Sequence, residues 1–246
     1  KDGGTGTSTH FYDHLRLLDF YAYGNIKTLA KKITFDNSML IYLNNTTNNA
    51  NNPNENYARE FLELFTILKG PQITEGNYTN YTELDIQQAA KVFSGIKVQY
   101  DRSIIDPDTN LPKGRIAVGN HDTTNKTFSS AFDNQTITGG NSEETIINEL
   151  DSFVEMIFEK EATAKSFCRK LYRFYVKSEI TDEIENDIIY IKNTLNRALS
   201  KENTDVLLNL FINSINKNEY DDNNLHIYLV PFLPNDKKYY VLDFVI

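Results

Sequence analysis

The segment Asn54–Phe65, NENYAREFLELF, constrains this chain more than any other stretch of its length. Projected at about 100° per residue, Glu55, Asn56, Arg59, Glu60 and Glu63 fall on one arc. Tyr57, Phe61, Leu64 and Phe65 fall on the opposite arc, with Ala58 and Leu62 beyond them. That separation predicts an amphipathic helix whose apolar side must be buried against other elements. Glu55, Arg59 and Glu63 follow one another at i,i+4, where ion pairs support a helix by roughly 0.2–0.5 kcal/mol each. The helix is expected to start near Asn54–Asn56 and to stop at Lys69-Gly70-Pro71, a glycine followed by a proline.

Helical signals recur on both sides of this segment. STHFYDHLRLLDFYAY has Ser8 or Thr9 as its N-cap and ends at Gly24; Asn25 caps IKTLAKKIT, and Asp36 caps NSMLIYLNN. The run Asn44–Pro53 has no periodicity and reads as a loop. In TELDIQQAAKVFSG, Thr82 and Asp85 hold the two capping-box positions. Residues 96–141 change character: IKVQY and RIAVG read as short strands around DPDTNLPKG, and the rest as loop.

From Ser142 helices are predicted over 143–159, 161–177, 182–199 and 204–216, with apolar residues such as Ile146, Leu150, Phe153 and Ile157 three and four apart. The tail, LHIYLVPFLPNDKKYYVLDFVI, is β-branched and aromatic about a Pro-Asn-Asp turn and predicts a terminal hairpin. The expected fold class is mainly α: one compact multi-helix bundle over 1–246, with a small hairpin and loop insertion near 96–120 and a C-terminal β-hairpin.

Composition narrows the function. At 246 residues and 40% hydrophobic, the chain can bury a proper core. A net charge of −9 without a basic stripe excludes a nucleic-acid footprint. One cysteine, Cys168, excludes an internal disulfide and every multi-cysteine metal site. No apolar stretch approaches the roughly 20 residues that a membrane span needs. The chain begins at Lys1 without methionine, which points to a processed or truncated product.

Two chemistries fit the polar arc of the motif helix. It is either a solvated, ion-paired face, or a site in which Glu60 and Glu63, at i,i+3, share a metal or a proton. In the second case Arg59 binds an anionic group or lowers a neighbouring carboxylate's pKa. A second cluster lies in NHDTTNK, where His121 stands in a loop beside Asp122 and near Lys126, a setting suited to acid/base work or metal ligation. His10 and His14, at i,i+4, lack the Glu-x-x-His context of a zinc hydrolase, and GGTGT follows no strand that would make it a phosphate loop.

YGNIKTLAKKITFDNSMLIYLNN, NENYAREFLELFT, YTELDIQQAAKVFSG, NHDTTNKTF and ATAKSFCRKLYRFYV stand here in that order. Together they resemble bacterial domain-of-unknown-function family 1800. The resemblance implies a mostly helical exported protein of the cell envelope, with a sulfatase-like protein as the expected partner. It places the family's polar signature on Asn54, Glu55, Asn56, Arg59, Glu60, Glu63, Glu83, Asp85, His121, Asp122 and Lys126. Relative to the family pattern, KGPQITEGNYTN is inserted before Tyr81, Ile96 replaces a tryptophan, and Thr124 replaces a glycine.

Two functions follow as expectations. One is a metal-assisted or acid/base enzyme with a site between helix 54–68 and loop 119–127. There Glu60, Glu63, His121 and Asp122 are the catalytic candidates, and Glu55, Asn56, Arg59 and Lys126 the substrate-binding ones. A divalent metal is its candidate cofactor. The other is a non-enzymatic envelope protein whose Glu/Arg stripe is a structural network or a partner surface. Both place the protein outside the cytoplasm.

Overall fold

The computed structural model describes residues 4, 6–22, 24–175 and 178–181, together with two strands in the tail. The chain divides into two compact units, Lys1–Lys170 and Leu171–Ile246. Helix is the dominant regular structure of the described residues, accompanied by short two-stranded antiparallel sheets. None of the described helices is long and apolar enough to cross a membrane.

The first unit opens with α1 (Ser8–Phe20), α2 (Ile26–Ile33) and α3 (Asn37–Tyr42). Asn25 and Asp36 cap α2 and α3 as expected, accepting from the amides of Thr28 and Met39. At α1 the cap is Thr7, one residue earlier than predicted, and the helix ends at Phe20 before reaching Gly24. α1 is held by polar pairs: Asp13 takes both Arg102 Nε (2.7 Å) and Nη2 (2.9 Å), and His14 Nδ1 lies 3.2 Å from Asp36.

The asparagine-rich stretch expected as a plain loop instead contains a turn of 3-10 helix, Asn45–Thr47, and buries two of its side chains. Asn45 Nδ2 donates to the carbonyls of Phe93 (3.1 Å) and Ile96 (3.2 Å), and Asn48 Nδ2 donates to that of Ala90 (2.8 Å). Those bonds satisfy carbonyls at and just beyond the end of the helix Glu83–Val92.

The motif helix, α4 (Asn56–Glu60), widens at once into a π-helical turn, Phe61–Phe65. Thr66 Oγ1 caps the Phe61 carbonyl at 2.6 Å, and Leu68, at φ 63°, turns its amide back to Leu62 at 2.9 Å. The helix therefore stops before Lys69-Gly70-Pro71. The wider turn also rotates the register, so Leu64, which the wheel assigned to the core, is 52% exposed, while Leu62 is fully buried.

The inserted KGPQITEGNYTN forms a hairpin of β1 (Gln72–Thr74) and β2 (Asn77–Tyr78), and α5 (Glu83–Val92) follows with its capping box formed by Thr82 and Asp85. The two predicted short strands, β3 (Ile96–Lys97) and β4 (Arg115–Ile116), pair antiparallel. A further pair, β5 (Lys126–Thr127) with β6 (Thr136–Ile137), occupies what was read as loop.

α6 (Glu143–Glu159) has the predicted bounds, and α7 runs over Glu161–Tyr175. α2 lies along α6, with Lys31 2.9 Å from Asp151. The core joins α4, α5, α6 and the end of β5 through aromatic rings. Phe93 sits 4.9 Å from Tyr57, 5.2 Å from Phe61 and 5.4 Å edge-on to Phe153, which stacks on Phe128 at 5.5 Å. Each such buried ring contributes about 1.5–3 kcal/mol by area alone.

In the second unit, β7 (His226–Leu229) and β8 (Leu242–Phe244) pair antiparallel, as expected of the tail. The helices predicted over 182–199 and 204–216 lie outside the described residues.

Candidate functional site

Apart from Glu60, the polar arc of the motif helix is engaged by its neighbours. Arg59 makes a two-pronged bridge to Glu83, in the first turn of α5, with Nη1–Oε2 3.1 Å and Nη2–Oε1 2.6 Å, and also reaches Glu55 at 3.2 Å. Hydrogen bonding from Arg59 outweighs burial and holds the Glu83 carboxyl below its usual range. Glu63 pairs with Lys69 and accepts from the Tyr81 hydroxyl at 3.4 Å. Burial, then the Glu63 charge, pushes the Tyr81 phenol well up. Asn56 Nδ2 donates to the Leu43 carbonyl at 3.0 Å, and Asn54 Nδ2 to Thr47 Oγ1 at 2.9 Å.

Glu60 is half-buried and joins neither group. The two carboxylates expected to converge are thus committed differently, and among the described residues no hydrogen bond or ion pair links either to His121.

Asp85 has a second task beside capping. Fully buried, it accepts from the amide (2.7 Å) and hydroxyl (2.7 Å) of Ser129 as well as from Thr82, so it ties α5 to the segment after β5.

The loop cluster is the more organised of the two. The side chains of His121, Lys126 and Glu149 are all 0% exposed. His121 Nε2 lies 3.0 Å from Glu149 Oε2, and Lys126 Nζ lies 2.7 Å from Oε1. That second contact is an ion pair off hydrogen-bond geometry, and Nζ donates a hydrogen bond to the Asp122 carbonyl. The Gly140 amide donates to Glu149 Oε2 at 2.6 Å.

On the other side of the ring, Nδ1 lies 2.7 Å from the Ser94 carbonyl. A carbonyl only accepts, so Nδ1 carries a proton, and Nε2 faces Glu149 across one further proton. Asp122, 3.8 Å from Lys126, accepts from the amide and hydroxyl of Thr124. Burial raises its carboxyl, but those bonds, with Lys126 and Lys91, hold it below the usual range. Thr124 achieves this with φ below zero, so the missing glycine causes no strain there.

Ser94 Oγ, His121 and Glu149 lie in the order of a hydrolytic triad, with Oγ 3.4 Å from Nδ1. The bonding contradicts that use. Ser94 Oγ gives its proton to the Lys91 carbonyl at 2.5 Å and accepts from the Asp122 amide at 2.8 Å, and the residue is 1% exposed. A nucleophile needs a base for its proton and a path to substrate.

Of the predicted site residues, the structure brings together His121, Asp122 and Lys126, and separately Glu55, Arg59 and Glu83. Sequence reasoning missed Glu149 and Ser94. Glu149 carried a readable signal, an acid set inside the apolar stripe of α6 between Ile146, Leu150 and Phe153. His10 is buried with no hydrogen bond to either ring nitrogen, while His14 pairs with Asp36, so the two do not act together. Among the described residues no group of three or more His, Cys, Asp or Glu is arranged to hold a metal ion.

The model of the family described as protein of unknown function (DUF1800) matches residues 5–219 of the chain. The chain belongs to that family. No curated protein and no solved structure matches it. In this DUF1800 member His121 and Lys126 both contact the buried Glu149 carboxyl on α6, Asp122 stands beside Lys126, and Arg59 and Glu83 clamp α4 to α5.

Proposed function

We propose that this chain is a non-enzymatic binding or assembly protein of the cell envelope, in which the charged signature holds the 96–141 region onto the helices. The observation that carries this reading is the complete burial of His121, Lys126 and Glu149. A group that exchanges protons with a substrate must reach it. These three side chains spend their polar atoms on one another and on the backbone of Ser94, Asp122 and Gly140. On this reading the acidic surface, at net charge −9, faces the partner. The sulfatase-like envelope protein implied by the family resemblance is the first partner to titrate against it. Failure of the two purified proteins to co-sediment at low salt counts against that partner.

The competing reading, an acid/base enzyme, draws its support from the Ser94–His121–Glu149 order and from Asp122, which is 13% exposed at the rim of the network. It requires the loop to open.

Stability separates the two. Glu149→Ala leaves the buried Lys126 ammonium and His121 Nε2 without their acidic partner and is expected to cost about 3–5 kcal/mol in urea unfolding. Glu149→Leu combined with Lys126→Met is expected to cost less than Glu149→Ala alone. An unchanged unfolding midpoint for Glu149→Ala sinks the structural reading.

A further inference from the structure

Between β3–β4 and the Asn45–Thr47 turn lies an open groove of about 450 Å³, lined among others by Thr46, Lys97, Gln99, Tyr100, Arg115 and Asn120. Its size is within the range of small-molecule sites, roughly 300–1,000 Å³. The register of the strand pair sets Lys97 directly opposite Arg115. Like charges placed opposite one another in an antiparallel ladder repel, and sheets ordinarily avoid the arrangement.

Among the described residues no acid forms an ion pair with either cation. Lys97 Nζ is fixed by two carbonyls, Thr46 (2.8 Å) and Asn48 (2.6 Å), which leaves one proton undirected. Burial, and then the Arg115 charge, hold the Lys97 ammonium below its ordinary pKa. Arg115 is exposed and has no acidic partner among the described residues. The acid that lines the groove, Asp101, is oriented by its own turn, with Oδ1 accepting from Gln99 Nε2 (2.6 Å), the Ser103 amide (3.1 Å) and the Ser103 hydroxyl (2.8 Å), and pairs with neither cation. Beside these charges stands Tyr100, 69% exposed, with its ring 6.4 Å from that of buried His10.

We propose that this groove binds a small organic anion, a carboxylate, sulfate or phosphate carried on a sugar-like ring. Arg115 grips the anion with its planar fork, and the undirected Lys97 proton supplies a second contact. Tyr100 gives the ring a rigid apolar face to pack on. Thr46 and Asn120 offer a hydroxyl and an amide to ring hydroxyls. A bound anion removes the cross-strand repulsion, so the site gains electrostatic energy that an unrelated surface arginine does not offer. The inference goes beyond the proposed function, since none of these residues belongs to the Glu149 network.

The experiment is titration of the full chain by calorimetry and by amide chemical shifts with four probes: glucose 6-phosphate, glucuronate, inorganic phosphate and neutral glucose. Glucose 6-phosphate and glucuronate are expected to bind saturably, with shifts confined to residues 46, 97–101, 115 and 120, and glucose not to bind. Arg115→Gln changes an exposed side chain, keeps the circular dichroism spectrum, and is expected to weaken both anions about tenfold or more, the scale of one lost charge-assisted contact. Tyr100→Ala is expected to weaken glucose 6-phosphate while leaving inorganic phosphate unaffected. Absence of saturable binding, or unchanged affinity in a folded Arg115→Gln variant, overturns the site. Inorganic phosphate binding as tightly as glucose 6-phosphate overturns the role of Tyr100. Either result leaves the structural network untouched, because Arg115 takes no part in it.

Discussion

Three acids, Glu83, Asp106 and Asp122, are held below the usual carboxylate range by different means. At Asp106 burial works the other way, and is outweighed by the Lys32 ammonium (2.7 and 2.9 Å) and the amides of Thr109 and Asp108. A carboxyl with a depressed folded pKa stabilises the fold fully above its unfolded value. That stability is lost as pH falls through the folded one. Stability is therefore expected to be flat above about pH 5 and to decline below about pH 4, read as urea midpoints against pH. Asp106→Asn should flatten that decline measurably. Glu83→Gln should do so less, because its bridge to Arg59 is more than a third exposed at both ends and is worth about 0.2–1 kcal/mol. A midpoint that climbs on acidification would contradict the assignment. At this scale the sequence showed which residues were charged. It did not show that Arg59 would choose Glu83, a helix away, over its i+4 neighbour Glu63.

Elements follow the sequence where a local signal is strong, and depart from it where contacts override. The Thr82–Asp85 capping box and the bounds of α6 were legible because both are decided within a few residues. The π-helical turn of Phe61–Phe65 was not, since it arises where α4 is pressed into the aromatic core and Thr66 captures the Phe61 carbonyl. The close packing of the β6–α6 connection against the start of α6 was not legible either. A Cβ on Gly140 would sit 2.5 Å from the Ile146 amide nitrogen, backbone that cannot yield cheaply. Gly140→Ala is therefore expected to cost about 1–3 kcal/mol by thermal or urea unfolding, and to pull the Gly140 amide from Glu149. Wild-type stability in that variant would show that the connection is looser than its packing indicates.

For the molecule as a whole, the buried hydrophobic core of the described residues runs from Leu17 to Ile157, inside the first unit. A chain ending at residue 181 is accordingly expected to unfold in a single cooperative transition by circular dichroism, and a broad, gradual loss of signal would refute that. Alone, the sequence determined most of the helical periodicity, the caps of α2, α3, α5 and α6, the DUF1800 membership and the short strands around DPDTNLPKG. All of these depend on residues a few positions apart, or on a string that can be recognised whole. Tertiary structure alone decided what the charges do. Glu149 meets His121 across 28 positions of chain, and Lys97 meets Arg115 only through strand register. Spacing along one helix carries no information about the element packed opposite, so only the fold shows Arg59 clamping α4 to Glu83 of α5, and Arg115, which stood out in no motif, lining a groove beside Lys97.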